Sequence, residues 1–151
     1  MVSARAKALL LALPSGSPTE EQEQIALFEL FELHRGRYPE LGLAYHVPNG
    51  GKRGKAEAGR FRAMGVKSGV PDVVLPVPRR GCCGLYVEMK RANGVPSDVK
   101  VTQRQWIDAL IAQGYCAVVA WGAAEAWQII NHYMHGARTI TIGVDSTGNM
   151  P

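Results

Sequence analysis

Apolar residues recur at helical spacing from Glu20 to about His34. At 100° per residue Leu27, Phe28 and Phe31 share one side, and Glu20 and Gln24 project from that side one and two turns earlier. Ser17-Pro18-Thr19-Glu20 supplies a start signal, with Ser17 as N-cap, Pro18 at the first helical position and Glu20 three after the cap. Leu43 to Val47 reads as a strand ended by Pro48-Asn49-Gly50-Gly51. Lys55 to Met64 reads as a short basic helix stopped by Gly65. Asp72 to Val77 and Leu85 to Lys90 flank the Gly-rich turn 78–84 and predict a hairpin. Thr102 to Gln113 is helical, with Trp106, Ile107, Leu110 and Ile111 apolar and Trp106 and Trp127 assigned to the core. Tyr115 to Trp121 is a continuous apolar strand, Ala123 to Met134 a helix, and Arg138 to Val144 a last edge strand. This order predicts an α/β fold with a central mixed β-sheet flanked by helices.

Composition places this pattern in one domain. The chain has 151 residues, 46% hydrophobic and 20% charged, which excludes disordered and collagen-like classes. No apolar run reaches the roughly 20 residues of a membrane span, so no membrane association is expected. Arg5 and Lys7 before the apolar run 8–13 read as a short helix or frayed lead-in rather than a signal peptide, because Pro14 ends the run early. Cys82, Cys83 and Cys116 show no zinc spacing and are expected as reduced thiols in a cytoplasm. The expected organisation is a lead-in over 1–18, a domain over 19–136, and an edge strand with a loose tail over 137–151.

The net charge of +4 is concentrated. Lys52, Arg53, Lys55, Arg60, Arg62 and Lys67 face one acid, Glu57, between Pro48 and Lys67. Such a stretch is either a solvated face or a holding surface for a polyanion. Over Leu41 to Ser97, by contrast, the acids thin to Glu57, Asp72 and Glu88. Asp72 opens a strand and Glu88 lies inside one, positions where a carboxylate needs a metal, a cation or an exposed edge. Strand alternation gives Glu88 and Lys90 one face. Hairpin pairing symmetric about Gly81 sets Asp72 opposite Lys90 and diagonal to Glu88, with Cβ atoms roughly 7 Å apart, a gap one divalent cation bridges. A bulge would shift that register. These residue types suit phosphodiester hydrolysis, in which carboxylates hold Mg²⁺ and an ammonium steadies the reacting group. They equally suit an ion-pair ladder across a hairpin. Glu20 is either a further site carboxylate or a plain capping-box glutamate.

Gly69-Val70-Pro71-Asp72 followed by Glu88-Met89-Lys90 resembles the PD-(D/E)xK nuclease signature. Glu20 with Gln24, the run from His46 to Gly51, the run from Gly65 to Asp72, Glu88 to Arg91, Gln103 three before Trp106, and Gly114-Tyr115 narrow the resemblance. Together they resemble the virus-type replication-repair nuclease (VRR-NUC) domain, from about Thr19 to Tyr133. The resemblance implies a restriction-endonuclease-like core and Mg²⁺- or Mn²⁺-dependent cleavage of branched DNA such as four-way (Holliday) junctions. It implies metal binding by Asp72, Glu88, the backbone carbonyl of Met89 and Glu20, with Lys90 and Gln103 as further catalytic groups. Of Glu20, Glu21 and Glu23, Glu20 is chosen because it lies four before Gln24 on the inward stripe.

The resemblance further implies a homodimer, and with the thiols read as reduced the expected setting is the cytoplasm of a bacterial or phage-infected cell. On this reading Asn49, Lys52, Arg53, Lys55, Arg60, Arg62 and Lys67 are contacts to the DNA backbone. Thr102 and Gln105 are expected to form a capping box, and of the two readings of His46 at its strand end, an approach to the site or a core histidine, the core histidine is preferred. The competing reading is a non-catalytic DNA-binding or assembly module of the same fold. A sequence-specific restriction enzyme finds no extra recognition segment in the chain.

Overall fold

Thr19, not Ser17, starts the first helix. Its hydroxyl accepts from the Gln22 N–H at 3.2 Å, while the Gln22 side-chain oxygen accepts from the Thr19 N–H at 2.9 Å. Gln22 therefore closes the capping box, and Glu20 is released from that duty. The computed structural model describes residues 17–48 and 54–137; residues 1–16 of the lead-in expected over 1–18, the contacts Asn49, Lys52 and Arg53, and the edge strand expected over 138–144 lie outside them.

Helix α1 spans Glu20–His34 and buries Ala26, Leu27, Leu30 and Phe31. Pro39–Leu43 coils into a 3₁₀ turn, which shortens the next strand, β1, to Tyr45–His46. Helix α2, Lys55–Ala63, buries no residue, in keeping with its basic sequence. Strand β2 (Val73–Leu75) and strand β3 (Leu85–Lys90) form the hairpin. Helix α3 (Val101–Ala112) crosses over to strand β4 (Cys116–Trp121), and helix α4 (Gly122–Met134) follows. The sheet order is β1-β2-β3-β4, antiparallel except for the parallel pair β3/β4 that the α3 crossover requires. The mixed sheet and flanking helices agree with the expected α/β class.

Alternation along the strands divides the sheet. Val73, Leu75, Leu85, Val87, Met89 and Ala120 enter one core with α1 and α4, where Phe31 meets Trp127 at 6.4 Å between ring centroids. Each fully buried leucine there contributes roughly 1.5–3 kcal/mol. The other face carries Tyr45, Val74, Tyr86, Glu88 and Lys90. Trp106 is not in the core as expected; it is half-buried, and its indole N–H donates to the Ser68 carbonyl at 3.0 Å. Ile111, on the outward side of α3, is exposed.

The hairpin register is offset from the symmetric expectation. Val73 pairs with Val87 and Leu75 with Leu85. At the tip Arg79 pairs with Cys82 around Arg80 and Gly81, both at positive φ. Between the tip and the strands lie residues 76–78 on one side but only 83–84 on the other, and Pro76 and Pro78 offer no N–H to a ladder. The turn centre between Arg80 and Gly81 and the extra residue each shift the pairing by one, and together they bring Asp72 level with Glu88 instead of Lys90.

Two further features tie the layers together. Cys82 and Cys116 form a disulfide with Cα atoms 5.6 Å apart, where reduced thiols were expected, because the hairpin turn lays Cys82 beside the start of β4. Glu23 is buried, and its carboxylate accepts from the Ala123 N–H at 2.8 Å, capping α4 from α1. Gly122, with φ +84°, leaves room for both Glu23 and Ala92, since a Cβ there would lie 3.3 Å from Glu23 Oε1 and 2.9 Å from the Ala92 Cβ. Glu23→Ala should lower stability by about 1–2 kcal/mol, read as a fall in Tm.

Candidate active site

Strand β3 sets Glu88 and Lys90 on one face, both buried. The Lys90 ammonium donates to Glu88 Oε1 at 2.7 Å and stands 3.7 Å from Glu20 Oε1. Asp72, at the lip of β2, accepts from the Met89 N–H at 2.9 Å. That bond locks the carboxyl of one strand onto the backbone of the next.

Gln103 joins from α3. The helix begins at Val101, so Gln103 occupies the third position and its side-chain oxygen accepts from the Lys100 N–H at 2.8 Å. The capping box expected at Thr102 and Gln105 is displaced accordingly. With its oxygen engaged, the amide turns its NH₂ toward Glu88 and donates to Oε1. Oε1 thus receives two donors. Oε2 is buried without a hydrogen-bond partner among the described residues.

Burial pushes the Glu88 carboxyl up to about 7, with the neighbouring Asp72 carboxyl adding to the rise and the Lys90 contact opposing it. For Lys90, burial acts to lower the ammonium's pKa, but the hydrogen bond to Glu88 and the charges of Glu88, Glu20 and Asp72 outweigh it. The net direction is upward, and Lys90 stays charged.

A cleft of about 380 Å³ opens beside these groups, lined by Glu20, Glu21, Gln24, His46, Asp72 and Met89. His46 is exposed there, not in the core as expected. Its Nδ1 donates to the Asp72 carbonyl at 2.8 Å, because that oxygen only accepts. Antiparallel pairing of β1 with β2 brings His46 to the site. Among the three glutamates, Glu20 faces Lys90, Glu21 lines the cleft and Glu23 caps α4.

Among the described residues, no three His, Cys, Asp or Glu side chains stand close enough to hold a metal ion, so Glu20 is not gathered with Asp72 and Glu88. The carboxylate pair nevertheless fits a hard divalent cation. Glu88 Oε2 lacks a partner, and Mg²⁺ is commonly held by one or two carboxylates while keeping water and phosphate oxygens as its other ligands. Lys55, Arg60 and Arg62 on α2, and Lys67 after it, are all exposed.

Residues 18–124 match the family model of the VRR-NUC domain. A solved structure of a VRR_NUC domain protein is similar to this chain with a TM-score of 0.70 and 28% identity, covering 82% of this chain and 94% of the other. No curated protein matches the sequence. Among the described residues no helix is long and apolar enough to cross a membrane. Because the match spans both carboxylate-bearing strands and α3, and the fold is shared over most of both chains, the chain belongs to the VRR-NUC domain family of nucleases.

Proposed function

We propose that the protein is a divalent-metal-dependent DNA endonuclease that hydrolyses phosphodiester bonds at branched DNA, including four-way junctions. The observation carrying this reading is Glu88: a buried carboxylate with one oxygen held by Lys90 and Gln103, the other without a partner, beside Asp72. An ion-pair ladder built for stability would satisfy both oxygens.

On this reading Asp72, Glu88 and the Met89 carbonyl hold Mg²⁺ or Mn²⁺. Bound there, the ion polarises the phosphodiester and lowers the pKa of a water. Lys90 presents its ammonium toward the charge that develops on the phosphate. Gln103 keeps Glu88 in one rotamer, and Glu20 orients Lys90 from the opposite side. The exposed cations of α2 and Lys67, with Asn49, Lys52 and Arg53, follow the DNA backbone without reading sequence. Preference for branched DNA and a homodimer placing two such sites on symmetric strands are supported by the family resemblance.

Labelled four-way junction, flap and linear duplex, incubated with Mg²⁺ or with EDTA, test the reading. The expected result is cutting of the branched substrates that stops in EDTA and falls on the order of 10³-fold in Asp72→Ala. Binding without metal-dependent cutting of any substrate would assign the chain to the non-catalytic class.

A further inference from the structure

The sheet face that bears Glu88 continues, two residues back along β3, to Tyr86, and Val74 lies beside it, two residues beyond Asp72 on β2. Two residues of strand span roughly 7 Å. At that distance from the carboxylates lies a groove of about 420 Å³, walled by Tyr45, Phe61, Val74, Tyr86 and Trp106, with Lys67 also in its lining.

Two of these rings are fixed in place. Trp106 is pinned by its bond to the Ser68 carbonyl, and Tyr86 stands edge-on to Tyr115, with centroids 5.4 Å apart and planes at 88°. Tyr45 is half-exposed at the edge. Burial, with the phenols of Tyr45 and Tyr115 adding to it, pushes the Tyr86 hydroxyl up, so that wall stays neutral.

From this arrangement we infer that the groove receives an unpaired nucleobase belonging to the strand whose phosphate lies at Asp72 and Glu88. The inference rests on the nuclease reading and deepens it by naming what the site selects. Aromatic walls suit a base because every base offers a π face, and a base reaches them only after leaving its stack. The charge of the surroundings suits the chain that carries the base: Lys55, Arg60, Arg62 and Lys67 stand on and just after α2, against the single acid Glu57. An apolar peptide would gain nothing from those cations. A paired base stays out of the groove, so a nucleotide at a branch point is favoured over continuous duplex.

The test is binding in EDTA, followed by fluorescence anisotropy, and needs no cutting. Wild-type protein and Tyr45→Ala and Tyr45→Phe variants are titrated with three DNAs: a fork with unpaired thymidines at the branch, the same fork with abasic residues there, and paired duplex. Removing the bases should weaken wild-type binding roughly 5- to 150-fold, the range one stacked base supplies. Tyr45→Ala should lose a similar factor on the intact fork and almost none on the abasic one, while Tyr45→Phe, which keeps the ring, should follow wild type.

Equal losses for Tyr45→Ala on intact and abasic forks, or no effect of base removal on wild type, overturn the inference. So does a Tyr45→Ala protein whose mass in solution drops from dimer to monomer without that difference between forks, which would assign the groove to a second copy of the chain. The two readings fail separately. Metal-dependent cutting without the abasic effect defeats only the base groove, whereas the abasic effect without cutting defeats only the enzymatic reading.

Discussion

Glu88→Gln is expected to abolish metal-dependent cleavage and, in metal-free protein, to remove a pH dependence of stability that the wild type shows. The first effect follows because a neutral amide is a poor ligand for a hard cation and Glu88 supplies half of the carboxylate pair. The second follows from the upward displacement of its carboxyl, from 4.5 to about 7. Between those values the folded state holds a proton that the unfolded chain has released. Glu88's contribution to stability is therefore complete below about pH 4.5 and is lost as pH rises through about 7. In EDTA the wild-type Tm should fall by several degrees more than that of Glu88→Gln between pH 5 and 8, measured by thermal denaturation. Parallel Tm curves for the two proteins would remove Glu88 as the buried titrating group. The site on this view holds a charge that the fold alone would rather neutralise.

Lys90→Met is expected to act on both activity and stability. Its ammonium is the nearest cation to Glu88 and is itself buried. Removing one partner from a buried pair costs about 3–5 kcal/mol, because the remaining charge loses its compensation. That loss should be largest above pH 7, where Glu88 is ionised, and smaller near pH 5, where it holds a proton. Adding Glu88→Gln to Lys90→Met should recover much of the stability, so the two changes should be clearly less than additive by thermal denaturation. Cleavage should fall by orders of magnitude in the single variant and not return in the double one. Additive losses would mean that the two side chains act separately.

The order of elements was legible because helical spacing in 20–34 and the apolar run 115–121 are strong local signals. What escaped the sequence was decided by neighbours distant along the chain. Thr19 displaced Ser17 as cap because Gln22 could close the box, a competition between two adequate local signals. The register of Asp72 against Glu88 depended on where the turn centres and on one extra residue among 76–78, which strand alternation alone does not fix. Trp106 has the spacing of a core residue, yet its indole is held to the Ser68 carbonyl at the rim of a groove. His46 came to the cleft through the β1/β2 pairing, which no local pattern of its strand announces. The carboxylates were easier to find, since acids in strands contradict the preference of the surrounding sequence, and such contradictions mark sites.

The bond between Cys82 and Cys116 joins positions 34 apart in sequence. The loop it closes holds Glu88, Lys90 and Gln103, and thus all of β3 and α3. In the chain-entropy account, a closure of that size restricts the unfolded chain by about 3–4 kcal/mol. Most of the proposed catalytic apparatus therefore sits inside a covalent ring while Asp72 and Glu20 approach it from outside. In an oxidising setting the ring adds to the margin that a buried, only partly compensated carboxylate erodes; in a reducing one the domain must hold the same site with that reserve withdrawn.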